Sequence, residues 1–375
     1  MSKPIRVLTL VPYKIFPAIM GGQKGVALFY DAFCKLVSLY CVTSISNVNH
    51  NVNYTVDTYL SNSPLRYINP FLFFNIKRRI RAFRIDYLIF EHPYFAWLIV
   101  LLATFSNVKI IVHSHNIESE RFRTLGKWWW KILWHYEKMA YRNANLIWFK
   151  TVEDKDYAIK QYGIKSEQAH VIPYGVELNA LPTKNIMDEA KDYVIKKHQL
   201  NIDDKIILFN GTLNYGPNLN ALDTILNHIN PQLLASRQQY KIIICGKNLP
   251  ATYNNLEAYA AQSIVYAGFV DDIDVYFKAC DIFMNPVLDG GGIKTKLVEA
   301  LGFGKQAVST TNGAFGVDAN ITGQRLSIVP DNDWDAFTSA ILMQLNQQDF
   351  DDNKLFYTHY AWGNIAHKAF NSLTR

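Results

Sequence analysis

The chain has 375 residues, with 38 Lys and Arg against 32 Asp and Glu; the resulting charge of +6 is too small an excess for a dedicated nucleic-acid binder. With 49% hydrophobic and only 19% charged residues, it can bury full cores, and its length suits two domains and excludes extended disorder. Aromatic residues make up 14% (22 Phe, 22 Tyr and 8 Trp), more than a core needs, so some of them are expected to face a ligand, a partner or a membrane interface.

Met1-Ser-Lys-Pro runs directly into an apolar stretch at 5–11 that reads as a short strand and not as a signal-peptide core. Met20-Gly21-Gly22-Gln23 then makes a glycine turn into a helix over 22–37; it is not a GxGxxG fingerprint, so a dinucleotide site is poorly supported. Further strands are expected at 40–44, 87–90, 109–113, 146–150 and 170–172, and helices at 95–105, 121–142 and 152–161. The apolar run 94–105 is too short for a membrane span, which needs about 20 such residues. The polar stretch 181–200 suits a linker plus a helix. A second series follows, with strands at 205–210, 241–245, 264–267, 282–285 and 306–309, helices at 218–227, 272–280 and 295–301, and a last helix over 353–373. Strands alternating with helices imply parallel sheets, so the fold class is α/β, with two Rossmann-like doubly wound domains. The expected boundaries are 1–178 for the first domain, completed by 355–375, and 179–354 for the second, with ligands at the C-terminal strand ends facing a cleft. Cys34, Cys41, Cys245 and Cys280 form no CxxC or zinc spacing and read as buried thiols of a reducing compartment.

Several segments carry chemistry. In Asn285-Pro-Val-Leu-Asp-Gly-Gly-Gly-Ile-Lys-Thr-Lys-Leu-Val-Glu-Ala a strand ends, three glycines follow and a helix begins, with Lys294 and Lys296 near its start. Glycines admit close backbone approach, and free N–H groups plus a partial positive charge suit a diphosphate. Two cations there oppose the helix dipole, a cost that an anionic ligand offsets, and Glu299 is placed to accept from a ribose diol. The alternative is a flexible loop ahead of a solvated helix. Gly211 and Thr212 end the strand 205–210 before Pro217 starts a helix: either an ordinary turn or a second backbone access to phosphate. His113 and His115 lie two apart at a strand end, beside Glu91-His92-Pro93; a third metal ligand of matching spacing is missing, so His115 is read as a contact to a hydroxyl or phosphate and no metal is expected. Asp271-Asp-Ile-Asp is a helix cap or, less simply, a cation pair. Lys127, Trp128, Trp129, Trp130 and Trp134 mark a basic, Trp-rich helix, and 75–84 is a second basic, aromatic segment; both suit an anionic lipid surface or, alternatively, packing on the sheet.

In this order the pieces resemble glycosyltransferase family 4, whose members have the GT-B fold of two facing Rossmann-like domains. The resemblance runs from Gly21-Gly22 through Val171-Ile-Pro-Tyr-Gly-Val-Glu, Phe209-Asn-Gly-Thr-Leu-Asn-Tyr and Tyr266-Ala-Gly-Phe-Val-Asp-Asp-Ile to Gly290-Gly-Gly-Ile-Lys-Thr-Lys-Leu-Val-Glu-Ala-Leu-Gly. It implies transfer of a sugar from a UDP- or GDP-linked donor, with retention of configuration and without a metal or other cofactor, to a glycan or lipid-linked acceptor. It also implies a cytoplasmic bacterial protein of surface-polysaccharide synthesis, peripheral on the inner face of the membrane. By the same resemblance Glu299 binds the donor ribose and His115 lies near the donor sugar's hydroxyls. Gly22, Gly211, Thr212, Gly291, Gly292, Ile293, Lys294 and Thr295 meet the sugar or the diphosphate, with Lys294 stabilising the departing charge. The chain departs from the common pattern twice. Gly291 stands where many members carry the first glutamate of E-x7-E, which matches the Gly-Gly-Gly-x-Lys-x-Lys branch. Asn214 and Asn218 stand where many carry Arg and Lys, so Lys294, with Lys296, is expected to take over that charge. Two other readings remain open at this point: a nucleotide-sugar epimerase on the same fold, and a non-catalytic nucleotide-sugar-binding subunit.

Overall fold

The computed structural model describes residues 4–18, 21–48, 51–347 and 352–374; Met1 and Met20 of the sequence reading lie outside the described residues. Two compact units emerge: Met1–Glu177 with Gly291–Ile293 and Trp362–Arg375, and Leu178–Gly290 with Lys294–Ala361.

The first unit is built on β1 (Arg6–Val11), β2 (Ser38–Ser44), β3 (Thr55–Leu60), β4 (Tyr87–Glu91), β5 (Lys109–Ser114), β6 (Leu146–Phe149) and β7 (Ala169–Val171). Their order in the sheet is β3-β2-β1-β4-β5-β6-β7, and every pairing is parallel. The second unit repeats the pattern with β8 (Lys205–Asn210), β9 (Tyr240–Cys245), β10 (Ile264–Gly268), β11 (Ile282–Asn285), β12 (Gln306–Thr310) and β13 (Leu326–Val329), in the order β10-β9-β8-β11-β12-β13. Helices cover both faces of such sheets, so central strands are apolar throughout; β4 is buried at all five positions. One core gathers around Leu8, Leu10, Leu88, Phe90, Ile110 and Val112, the other around Ile207, Phe209, Ile242, Ile244, Met284 and Val308. In each sheet the winding direction reverses once, between β1 and β4 and between β8 and β11; in sheets of this kind ligands bind at the C-terminal strand ends beside such a reversal.

The structure adds β3 and β13, both edge strands too polar or too short to stand out in the sequence. It also adds helices at Phe71–Phe83 and Trp334–Leu345. The helix expected over 121–142 is two helices, Glu118–Thr124 and Trp130–Arg142, separated at Gly126, whose φ of 67° no helix continues through. The last expected helix is likewise two, Lys354–Tyr360 and Trp362–Leu373: Ala361 is extended, and the Trp362 amide donates to Val176 O instead of continuing the helix. Trp362–Leu373 covers the first sheet, where Trp148 Nε1 donates to Ser372 Oγ (3.0 Å) and Tyr87 OH to Leu373 O (2.5 Å). All four thiols are free; Cys41, Cys245 and Cys280 are buried and Cys34 is half-buried. Among the described residues no helix is long and apolar enough to cross a membrane.

Candidate active site

In the second unit, the reversal of sheet order brings the end of β8, at Asn210, beside the β11 side of the sheet, where the glycine loop begins. Gly290 and Gly292 both adopt left-handed backbone, φ 91° and 72°, which is the physical reason for glycine at these two positions. The loop delivers Lys294 to the residue preceding the helix Thr295–Gly302, and its Nζ donates to Gly290 O (2.7 Å). Lys296, in the first turn, sends its ammonium back across the site, donating to Asn210 O (3.0 Å) and Asn218 Oδ1 (3.1 Å) and lying 4.3 Å from the Phe209 ring centroid. Burial, reinforced by neighbouring Lys294, lowers its pKa to about 7. Asn218 Nδ2 in turn donates to Thr212 O, and a side chain at Gly211 would collide with Asn218, so the β8 turn, Thr212, Asn218 and Lys296 form one connected group. Asn210 Oδ1 is buried without a hydrogen-bond partner. Gly291 is exposed, Gly292 is buried, and Ile293, Thr295 and Glu299 are half-buried along the loop and helix. Asp272 accepts from Asp274 N at the start of Ile273–Ala279, which is a helix cap.

In the first unit, the corresponding strand ends carry a buried polar cluster. Glu91 closes β4, His113 stands opposite it on β5, and His115 follows β5 by one residue. His113 Nδ1 lies 2.9 Å from Glu91 Oε1 and His115 Nε2 lies 2.5 Å from Oε2; Tyr30 OH also donates to Oε1. Burial works to raise the Glu91 carboxyl, but the two histidines and their hydrogen bonds hold it well below the usual carboxylate range. Burial lowers His113 to about 4, and burial with neighbouring His92 lowers His115 to about 3, so both imidazoles are neutral at pH 7. Lys150, just past β6, has a buried ammonium without a hydrogen-bond partner, and burial lowers it to about 8. His92 stacks on His115 and on Tyr94, and its Nδ1 is 3.4 Å from Glu118 Oε1, which also accepts from Asn116 Nδ2, while Glu118 Oε2 accepts from Arg121. Below them Glu137 accepts from the amides of Glu118 and Ser119, the Ser119 hydroxyl and the hydroxyls of Tyr141 and Tyr162, anchoring the segment that follows His115. Glu91, His113 and His115 are donors that a metal would accept, all within 4.8 Å of one another. Their contacts of 2.5 and 2.9 Å are those of hydrogen bonds, whereas ligands sharing one zinc at roughly 2.0–2.1 Å stand ~3.3 Å apart.

Gly22 sits exposed in the first turn of Gly21–Phe33, with open space where a Cβ would be. The Trp-rich segment is divided. Trp128, 83% exposed, and Trp129 precede the helix; Trp129 packs on Phe122, and Trp134 packs on Tyr162 and donates Nε1–H to Tyr157 OH. Lys127 is exposed and Trp130 half-buried. The sequence reading missed the joining role of Glu91 and all of Tyr30, Lys150 and Glu137. Glu91 and His113 are separated by 22 positions, so only strand pairing makes them neighbours.

Comparison with known proteins supports the same assignment. Residues 37–180 match the family described as Glycosyltransferase Family 4, and residues 204–347 the family described as Glycosyl transferases group 1. A Klebsiella pneumoniae relative, an uncharacterized 44.6 kDa protein in the cps region, is 23% identical over 361 residues, covering 88% of each chain. A glycosyltransferase from Rickettsia africae shares the fold at a TM-score of 0.69 and 14% identity, over 98% of this chain and 97% of the other. Anabaena HepE, solved in complex with UDP, does so at 0.71 and 15%, over 99% and 100%. Two parallel doubly wound units and one family match in each half place this chain among the family 4 and group 1 glycosyltransferases with the GT-B fold.

Proposed function

We propose that this glycosyltransferase moves a sugar from a UDP- or GDP-linked donor to a hydroxyl of a glycan or lipid-linked acceptor, with retention of configuration, in surface-polysaccharide synthesis. The observation that carries the donor reading is the Lys296 ammonium: it is buried against Asn218 and the end of β8, where its hydrogen-bond partners are an amide and a carbonyl and not a carboxylate. A diphosphate would supply the missing counter-charge. Lys294 and the amides at the start of Thr295–Gly302 would share that load and stabilise the leaving group as the glycosidic bond breaks. With two lysines and a helix N-terminus to meet the charge, the reaction needs no divalent metal. The polysaccharide setting is supported by the Klebsiella relative in the cps region, and a nucleotide-sugar donor by the HepE structures with UDP and UDP-glucose.

Contact with an anionic membrane surface is part of the same proposal. Leu65, Ile68, Phe71 and Phe74 are exposed along Pro64–Tyr67 and the start of Phe71–Phe83, and Arg78, Arg81 and Arg84 follow on or just past that helix. Apolar side chains beside arginines suit the headgroup region of anionic lipid.

A thermal-shift screen of UDP- and GDP-sugars tests the donor reading, because a ligand that binds the native state raises its apparent stability. One nucleotide-sugar should stabilise the protein and release its nucleotide diphosphate when an acceptor is added. A product of inverted anomeric configuration would refute retention, and the absence of any stabilising donor would refute the nucleotide-sugar reading.

A further inference from the structure

The Glu91 carboxylate is fully enclosed, with Tyr30 OH and His113 Nδ1 at one oxygen and His115 Nε2 at the other. An ionised carboxylate only accepts, so each imidazole nitrogen turned towards it carries a proton. Both rings are neutral, because burial keeps their basicity low, so the second nitrogen of each is a bare lone pair. For His113 that nitrogen, Nε2, is sealed in the interior, with Phe29 and Trp148 against the ring. For His115 it is Nδ1, which makes no hydrogen bond among the described residues, on a side chain that keeps 16% of its surface exposed. The His115 ring cannot swing freely either. It lies 4.4 Å from His92 at an interplanar angle of 22°, and His92 stacks on Tyr94 at 5.0 Å.

We propose that Glu91 is a positioning residue: it commits His115 to the Nε2–H tautomer, so the imidazole meets bound substrate through an accepting Nδ1 and takes a hydroxyl, not a phosphate oxygen. A phosphate oxygen offers only lone pairs to a lone pair, whereas a sugar or acceptor hydroxyl donates its proton into it. Glu91 itself never touches substrate. Its effect reaches the ligand through the nitrogen it leaves unprotonated. His113, the other ring on the same carboxylate, holds Glu91 in place from the opposite side. The choice of ligand group rests on the nucleotide-sugar reading above; the tautomer does not.

The test has two arms, both on the full chain. Histidine nitrogen NMR of the unliganded protein reads the tautomer directly, with His115 assigned by the signals lost in His115→Gln. The expected spectrum has the pyridine-type nitrogen of His115 at Nδ1; a protonated Nδ1 overturns the proposal. In Glu91→Gln the amide can accept from only one of the two imidazoles, so at least one tautomer should change, and an unchanged pair would be evidence against Glu91 as the determinant. If that variant does not fold, the wild-type spectrum still decides the tautomer. The second arm compares binding of UDP-glucose with UDP, and of GDP-mannose with GDP, to wild type and His115→Gln. The sugar-bearing ligand should lose about tenfold in affinity, one lost hydrogen bond at ~1.4 kcal/mol, while the bare diphosphate stays within about twofold. Equal losses for both would mean that His115 meets phosphate. If no nucleotide-sugar binds even the wild type, the donor reading fails while the NMR arm still answers for Glu91.

Discussion

A buried ammonium hydrogen-bonded to an amide and a carbonyl, as Lys296 is, carries its charge at a cost until an anion arrives. With its pKa lowered from the usual lysine range to about 7, the contribution of Lys296 to apo stability declines as pH falls from about 10 through 7. A bound diphosphate favours the protonated form, so above pH 7 binding must also capture a proton. The affinity for a nucleotide diphosphate should therefore weaken by up to about tenfold per pH unit between roughly pH 7 and 9. Lys296→Arg, which stays charged, should flatten that slope in calorimetric titrations; an unchanged slope would place the titrating group elsewhere. Lys294 immediately precedes the helix Thr295–Gly302, and Lys294→Ala should reduce turnover on the order of 10²-fold or more, as does loss of an oxyanion donor. Turnover close to wild type would remove Lys294 from the leaving-group role. The sequence shows both lysines and their glycine loop, but not that Lys296 reaches back to Asn218, because that contact spans 78 positions and depends on how β8 and Thr295–Gly302 sit in the second unit.

Among the elements, the short helix Val152–Tyr157 shows how a cap can bury a charge. Thr151 Oγ accepts from the Asp154 amide, which draws the Asp154 side chain inwards, and Asp154 Oδ2 has no hydrogen-bond partner. Burial raises that carboxyl to about 7. A folded-state pKa above the unfolded one gives stability that is complete below about pH 4 and is lost as pH rises through about 7. Asp154→Asn remains neutral, so urea midpoints should show the variant gaining on wild type as pH rises from about 5 to 8, by a few kcal/mol at most. A gain independent of pH would mean that Asp154 does not titrate in this range. The Trp-rich stretch gives the opposite lesson. Its spacing suggests one amphipathic helix, yet the helix starts only at Trp130, after the break at Gly126, and Trp134 turns inwards to Tyr162, leaving Trp128 as its most exposed indole. Meanwhile Phe71–Phe83, not recognised as a helix from sequence, buries Leu72, Ile76 and Ile80 at a spacing of four and leaves Phe71 and Phe74 outside. Replacing Phe71 and Phe74 by Ser should reduce co-sedimentation with anionic vesicles at low salt more than Trp128→Ser does; binding that survives all three substitutions would refute contact through either segment.

For the whole molecule, the sequence alone determined the fold class, because alternating apolar runs and amphipathic stretches permit little other than parallel sheets flanked by helices. All eleven strands read from the sequence are present, and β3 and β13 escaped notice because edge strands need only one apolar face. The glycine loop was equally legible, since left-handed backbone at Gly290 and Gly292 leaves a local signature. What only the tertiary structure decided are the groupings that cross the chain. Strand pairing sets Glu91 against His113, Tyr30 reaches the same carboxylate from the helix Gly21–Phe33, and the C-terminal helix returns to cover β4 and β6 through Leu373 and Ser372. The reason is physical: backbone conformation and apolar period act between near neighbours and are written locally. Hydrogen bonds inside a core join residues that only the sheet order brings together, and that order carries no mark at either partner's position in the sequence.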